Sequence, residues 1–375
     1  MLGLCKDSGG RLKNCLHLSK ESFFKLAVIS VLILVFFPHV STTSDIRENL
    51  KIAPTTNPVS TWGELSKTAP QYFYASDVPP LARERIEETL VVARTIWGNY
   101  GPLEVWVTGQ KTMPSVDFIS SYCNRRSQLY QEDKFKCLNE NRNGWFEYAR
   151  SRVANTTKPS KYSILGRTVV DDAVYDFHHI DLAEPLGFAN VYPRKIGIDQ
   201  VLVFHEFFHV VNNAHISNGP AKNGDENPRN AMLGPTWFME GSAEFMSLRT
   251  VSELRASGDL PLYGGLLTSF DFKAEMSENM DNALKELAEN PDLELTNATN
   301  FDGALVYNLG SWAIAYLLHK TGPNALMDKF FPNLNRLGWY ENFKQTFGMT
   351  PLHFLEEFDK FTYLDRAMQM QILDS

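Results

Sequence analysis

The sequence predicts an α+β fold, with a small mixed sheet packed on one apolar helix and a mainly helical C-terminal subdomain after it. Three observations predict it. Stretches with strand character lie only in the first half of the chain. Gly197 to Asn213 is one of the most apolar runs outside the N-terminus and reads as a helix. From Pro235 onward the chain reads as nearly all helix.

Composition sets the outer bounds. The 375 residues suffice for one large domain or two modest ones. A hydrophobic share of 43% and an aromatic share of 12% suit a packed core and argue against disorder. Net charge is -8 with no long run of one sign, which argues against nucleic acid as a partner.

Residues 1-41 read as a basic lead-in and a targeting segment. Lys6, Arg11, Lys13, Lys20 and Lys25 precede the apolar run Leu26 to Phe37, and no charged residue follows until Asp45. The run suits a signal peptide. Extended by Phe23, Phe24, Pro38 and Val40, it suits a signal anchor with its basic side cytoplasmic. A buried core helix is the third reading. The first two place everything after Ser41 outside the cytoplasm, secreted, periplasmic or held as a single-pass membrane protein. The membrane is a partner only if the segment is retained.

Residues 42-80 are rich in Pro, Ser and Thr and read as a stalk or lead-in, so the folded part is expected to begin near Pro79. Residues 81-216 then form an α+β subdomain. Leu81 to Trp97 is an amphipathic helix with Ile86, Leu90, Ala93 and Trp97 on one face, stopped by Gly98, Asn99 and Gly101. Leu103 to Thr108 alternates as a strand. Met113 to Arg152 reads as mixed and helical, and contains Cys123 and Cys137, which can pair as a disulfide in an oxidising compartment. Ile164 to Val170 and Ala173 to Leu182 read as strands. Asn155-Thr-Thr and Asn297-Ala-Thr fit the glycosylation acceptor pattern.

Residues 217-375 form the helical subdomain. Ser217 to Asn230 is a loop by its turn residues. Helices follow from Pro235 towards Leu254, over Phe272 to Glu289, Gly303 to Lys320, Trp339 to Phe347 and Leu352 to Leu364.

His205, Glu206 and His209 stand in the middle of the apolar helix as His-Glu-x-x-His. Two histidines one turn apart can reach one tetrahedral zinc ion. A carboxylate in such a helix costs several kcal/mol unless it is paired or used, and handling protons beside a metal is a use. A catalytic zinc needs a third protein ligand and one open position. Glu240 in Trp237-Phe238-Met239-Glu240-Gly241-Ser242-Ala243-Glu244 is one candidate, with Glu244 one turn on to orient a histidine ligand. The small Gly241 and Ala243 would let this helix approach the His205 helix closely. His215 is the other candidate, at the spacing His-Glu-x-x-His-x-x-Gly-x-x-His with Asn212 at the glycine.

The two motifs together resemble the gluzincin zinc metallopeptidases, a clan that includes thermolysin, the zinc aminopeptidases and the bacterial collagenases. The likeness covers roughly Leu81 to Leu364 and rests on the two motifs. It implies one zinc ion held by His205, His209 and Glu240, with Glu244 supporting a histidine. It also implies an oxyanion role for Tyr307 in Tyr307-Asn308-Leu309-Gly310, and a substrate held on an edge strand, for which Ala173 to Leu182 is the matching segment. The aminopeptidases' Gly-x-Met-Glu-Asn segment is missing, which points to an endopeptidase. His178 and His179 are expected to be sheet residues.

The expectation is therefore zinc-dependent hydrolysis of a peptide or protein, with Glu206 as general base and Tyr307 beside it. Three rivals stand beside it: a silent zinc domain that only binds partners, hydrolysis of another bond, and a metzincin-type peptidase using His215.

Overall fold

The computed structural model describes residues 3–6, 12–15, 64–154, 165–168, 178–183, 197–216, 232–260, 271–299 and 302–374. The chain divides into two units, Met1–Asp45 and Ile46–Ser375. In the first, β1 (Gly3–Lys6) and β2 (Leu12–Cys15) pair antiparallel, Gly3 opposite Cys15. The apolar run 26–37, the acceptor at 155 and the loop 217–230 lie outside the described residues. Among the described residues no helix is long and apolar enough to cross a membrane.

The second unit is α+β, mostly helical with one small mixed sheet. It begins earlier than its prolines suggest. β3 (Gln71–Tyr74) lies within the lead-in expected to reach residue 80, yet it pairs parallel with a strand of the sheet, Gln71 opposite Glu104. Pro70 immediately precedes it, and the aromatic run Tyr72-Phe73-Tyr74 has something to pack on: Phe73 stacks on Trp106 at 4.1 Å.

Helix α1 (Pro80–Trp97) follows, then β4 (Leu103–Thr108). β4 alternates in sequence, but all six of its residues are buried. Its polar face is covered by α2 (Thr112–Tyr130), whose Arg125 donates to Glu104 at 2.7 Å, and Trp106 Nε1 donates to the same carboxylate at 3.0 Å. A buried carboxylate is tolerable because it is paired and hydrogen-bonded. After α3 (Lys134–Arg142) and α4 (Trp145–Ala154) come β5 (Leu165–Thr168) and β6 (His178–Ala183). A disulfide joins Cys123 of α2 to Cys137 of α3, Cα atoms 5.7 Å apart, with both residues fully buried.

The sheet order is β3-β4-β6-β5. The first three strands are parallel and β5 runs antiparallel to β6. The expectation that Ala173 to Leu182 supplies the sheet edge is thereby corrected. β6 has β4 on one side and β5 on the other, so its backbone groups are already paired, and β5 is the edge strand on that side, as β3 is on the other.

Helix α5 (Ile198–Ala214) packs on β5, β6 and α1. α6 (Thr236–Ser257) lies against α5, and α7 (Phe272–Glu289) follows. A π-helical turn, Ala304–Leu309, leads into α8 (Gly310–Thr321). A second, Leu326–Phe330, leads into α9 (Phe331–Phe347), which kinks at Gly338. α10 (Pro351–Thr362) and α11 (Arg366–Gln371) close the chain. Among the described residues the main core is rich in aromatics, with a small separate cluster of Ala149, Val153 and Ala183, and α8 packs closely on α6.

Candidate metal centre

The centre is built on α5, and its far face explains why the helix stays in place. Phe204, Phe207, Phe208, Val210 and Val211 are fully buried. Trp97 of α1 meets Phe204 and Phe208 edge-on, at 5.2 and 4.9 Å. Each large apolar side chain buried this way contributes about 1.5–3 kcal/mol. At the helix start, Asp199 forms a buried ion pair with Arg85 of α1. Burial raises the pKa of Asp199 against the opposing pull of Arg85.

The near face carries His205, Glu206 and His209. His205 and Glu206 are buried and His209 is partly so. His205 Nε2 lies 3.2 Å from His209 Nε2, and both lie within reach of Glu240 Oε2 on α6, at 3.3 and 3.2 Å. Three ligand atoms thus form a nearly equilateral triangle. A tetrahedral ion with bonds of about 2.0–2.1 Å has ligand–ligand edges of about 3.3–3.4 Å, so the triangle fits one face of such a tetrahedron. The group could hold a metal ion.

Electrostatics agree with the geometry. His205 Nδ1 is 3.3 Å from Glu244 Oε2. With its proton on Nδ1 donated to Glu244, His205 turns a lone pair at Nε2 towards the other two ligand atoms. Such a convergence of lone pairs is repulsive unless a cation sits among them. Burial disfavours a charged His205, yet hydrogen bonds to Glu240 and Glu244 and nearby carboxylates lift its pKa to about 10. Burial likewise disfavours an ionised Glu240, yet His209 and His205 hold it well below the usual carboxylate range. Both directions mark a pocket that favours positive charge.

Glu206 lies under the sheet edge. Thr168 of β5 places its hydroxyl 2.7 Å from the Glu206 carbonyl oxygen and 3.0 Å from Glu206 Oε2. Gly166 presses its bare backbone on the same side chain, because a Cβ there would sit 2.6 Å from Oε1. Burial raises the pKa of Glu206, the two histidines pull it down and Glu240 pushes it up.

Tyr307 stands on the π turn before α8, its ring 5.8 Å from that of His205. Burial first, then the charges of Glu240, Glu206 and Glu244, keep its hydroxyl protonated well above its ordinary range. Local π-helix is rare and recurs at functional sites.

The expected role of Gly241 is corrected. It does not serve the approach of α6 to α5. A Cβ on Gly241 would lie 2.3 Å from the carbonyl carbon of Gly310, and one on Gly310 would lie 2.6 Å from the Trp237 oxygen. The two glycines let α6 and α8 cross backbone to backbone, and Glu240 and Tyr307 flank that crossing in sequence.

His215 is not brought into the cluster. It caps α5, with Nδ1 2.7 Å from the Val211 oxygen and Nε2 3.3 Å from the Tyr100 hydroxyl, and its ring packs near Phe331 at 5.5 Å. Burial lowers its pKa. His178 and His179 are buried in the sheet on β6. Sequence reasoning missed Gly166 and Thr168. A glycine inside a strand-like run was the available signal, since it often marks close backbone approach. Compared with protein families, curated proteins and solved structures, the chain finds no match in any of the three.

Proposed function

We propose that the chain is a zinc metallopeptidase of gluzincin type, acting outside the cytoplasm on peptide or protein substrates. The observation that carries this reading is the triangle of His205, His209 and Glu240 beside a buried Glu206. These three residues would hold the ion, and Glu244 would orient His205. Zinc, when bound, supplies Lewis acidity that acidifies water and polarises a carbonyl.

The chain's own residues do the rest. Glu206 accepts a proton from the attacking water as its oxygen bonds to the scissile carbonyl carbon. It then passes that proton to the leaving nitrogen as the carbon–nitrogen bond breaks. A pKa raised by burial suits a group that must both take and give a proton. Tyr307 stays protonated and can donate to the oxygen on which negative charge develops. Among the described residues no strand pairs with the outer edge of β5, and its backbone groups there would bind an extended peptide as one more strand. The disulfide supports an oxidising, extracytoplasmic setting. His215 is occupied at the helix end, which disfavours the metzincin-type alternative.

The test is Glu206→Gln in zinc-loaded protein, assayed against a peptide library. It should keep zinc and lose at least about 10²–10⁴-fold in turnover. Undiminished cleavage overturns the general-base role, and a wild-type protein that binds zinc and cleaves nothing is a silent domain.

A further inference from the structure

We propose that Thr168 is a positioning residue for Glu206, its single hydroxyl holding that carboxyl in one orientation through both of its protonation states. The inference rests on the peptidase reading above. Thr168 Oγ1 has two acceptors in reach, the Glu206 carbonyl oxygen at 2.7 Å and Glu206 Oε2 at 3.0 Å. A hydroxyl has one hydrogen to donate and lone pairs to accept with. With Glu206 ionised, the hydroxyl donates to Oε2. The hydroxyl keeps Oε2 as its acceptor, so the other carboxyl oxygen takes the proton from water and gives it to the leaving nitrogen. No heavy atom needs to move, so the carboxyl is presented to its next partner as it was to the last.

Two further features make the hold stiff. Gly166 lies on the same face of β5 as Thr168 and leaves no side chain between the strand and Glu206 Oε1. Arg167, on the opposite face, donates at 2.7 Å to the fully buried Asp181 of β6, its register partner, so β5 cannot easily lift away. A hydroxyl fixed on a pinned strand aims a general base better than one on a mobile loop.

Thr168→Val removes the hydroxyl at nearly constant shape, and Thr168→Ser keeps it. Both are made in the full chain, loaded with zinc, checked for thermal midpoint and zinc content, and assayed on a peptide that the wild type cleaves. The valine variant should retain zinc, lose about tenfold or more in kcat and hold KM within about twofold, while serine restores most of the rate. A crystal structure of the zinc-loaded valine variant should show the Glu206 carboxyl rotated from its wild-type orientation. Wild-type kcat in the valine variant, an unrotated carboxyl, or a serine variant as impaired as valine would each overturn the assignment. Where the wild type cleaves peptides and only Thr168→Val disappoints, this inference alone fails. A wild type that cleaves nothing removes the peptidase reading and this one with it.

Discussion

Asp181 shows how much one buried residue can say about solution behaviour. Its carboxylate is fully buried, with Arg167 Nε at 2.7 Å and His179 Nε2 at 3.0 Å. Burial alone would raise its pKa, but His179 and Arg167 bring it below the ordinary carboxylate value. The folded chain therefore gives up this proton more readily than the unfolded chain does. The resulting stabilisation is present at neutral pH. It declines as pH falls through the ordinary carboxylate range, near about 4, and below. Denaturant midpoints measured between neutral and acid pH should drop for the wild type. Asp181→Asn should start less stable and show an acid slope smaller by up to about one proton. An unchanged slope would remove Asp181 from the account of acid stability. At this scale the sequence was most legible where chemistry repeats locally. The spacing of His205, Glu206 and His209 is fixed by helix geometry, and the Glu240-Gly241 string announced itself by carboxylates among aromatics. Thr168 had no such voice and Gly166 only that of a glycine within a strand, because their meaning comes from a strand meeting a helix in space.

Among the elements, the crossing of α6 and α8 matters most. No side chain separates Gly241 from Gly310, and a Cβ on Gly241 would stand 2.3 Å from backbone carbon. Backbone cannot step aside as a flexible side chain can. Gly241→Ala should push the helices apart and cost about 1–3 kcal/mol or more. Thermal denaturation should register a midpoint lower by several degrees. Zinc affinity should weaken too, since Glu240 is the neighbouring residue. A variant with unaltered midpoint and affinity would show that the crossing tolerates expansion. The crossing was invisible in sequence because small residues at one helix do not name their partner. The long helices were legible, since their apolar periodicity is dictated by one buried face: Phe272–Glu289 was read at its observed limits. The strands were harder. β3 hid behind the prolines of its lead-in, and β6 and β5 could not be ordered in the sheet, because pairing is not written in a strand's own residues. The π turns were equally hidden, being a detail of hydrogen bonding that composition does not encode.

Across the whole second unit, the ligand cluster exists only when α5 and α6 are folded against each other. An ion that binds the folded cluster and not the unfolded chain stabilises by mass action, by about 2.7 kcal/mol when its concentration is a hundred times Kd. Adding zinc to stripped protein should raise the thermal midpoint, and a chelator should reverse the rise. Glu240→Ala should abolish the gain, whereas His215→Ala should keep it. The opposite pattern would transfer the third ligand to His215. The division into a strand-containing first half and a helical second half was readable because the apolar period changes along the chain. Where the folded part begins was not, since a strand of four residues becomes meaningful only beside its partner.

The buried bond between Cys123 and Cys137 bears on how the protein should be made and handled. Material produced in a reducing host cytosol would start with two thiols where the native chain has a cross-link between α2 and α3. Dithiol additives in a purification buffer would then act twice, opposing that cross-link and competing for any ion at the histidines. A preparation found inert after such treatment would report on its buffer history before it reported on the protein.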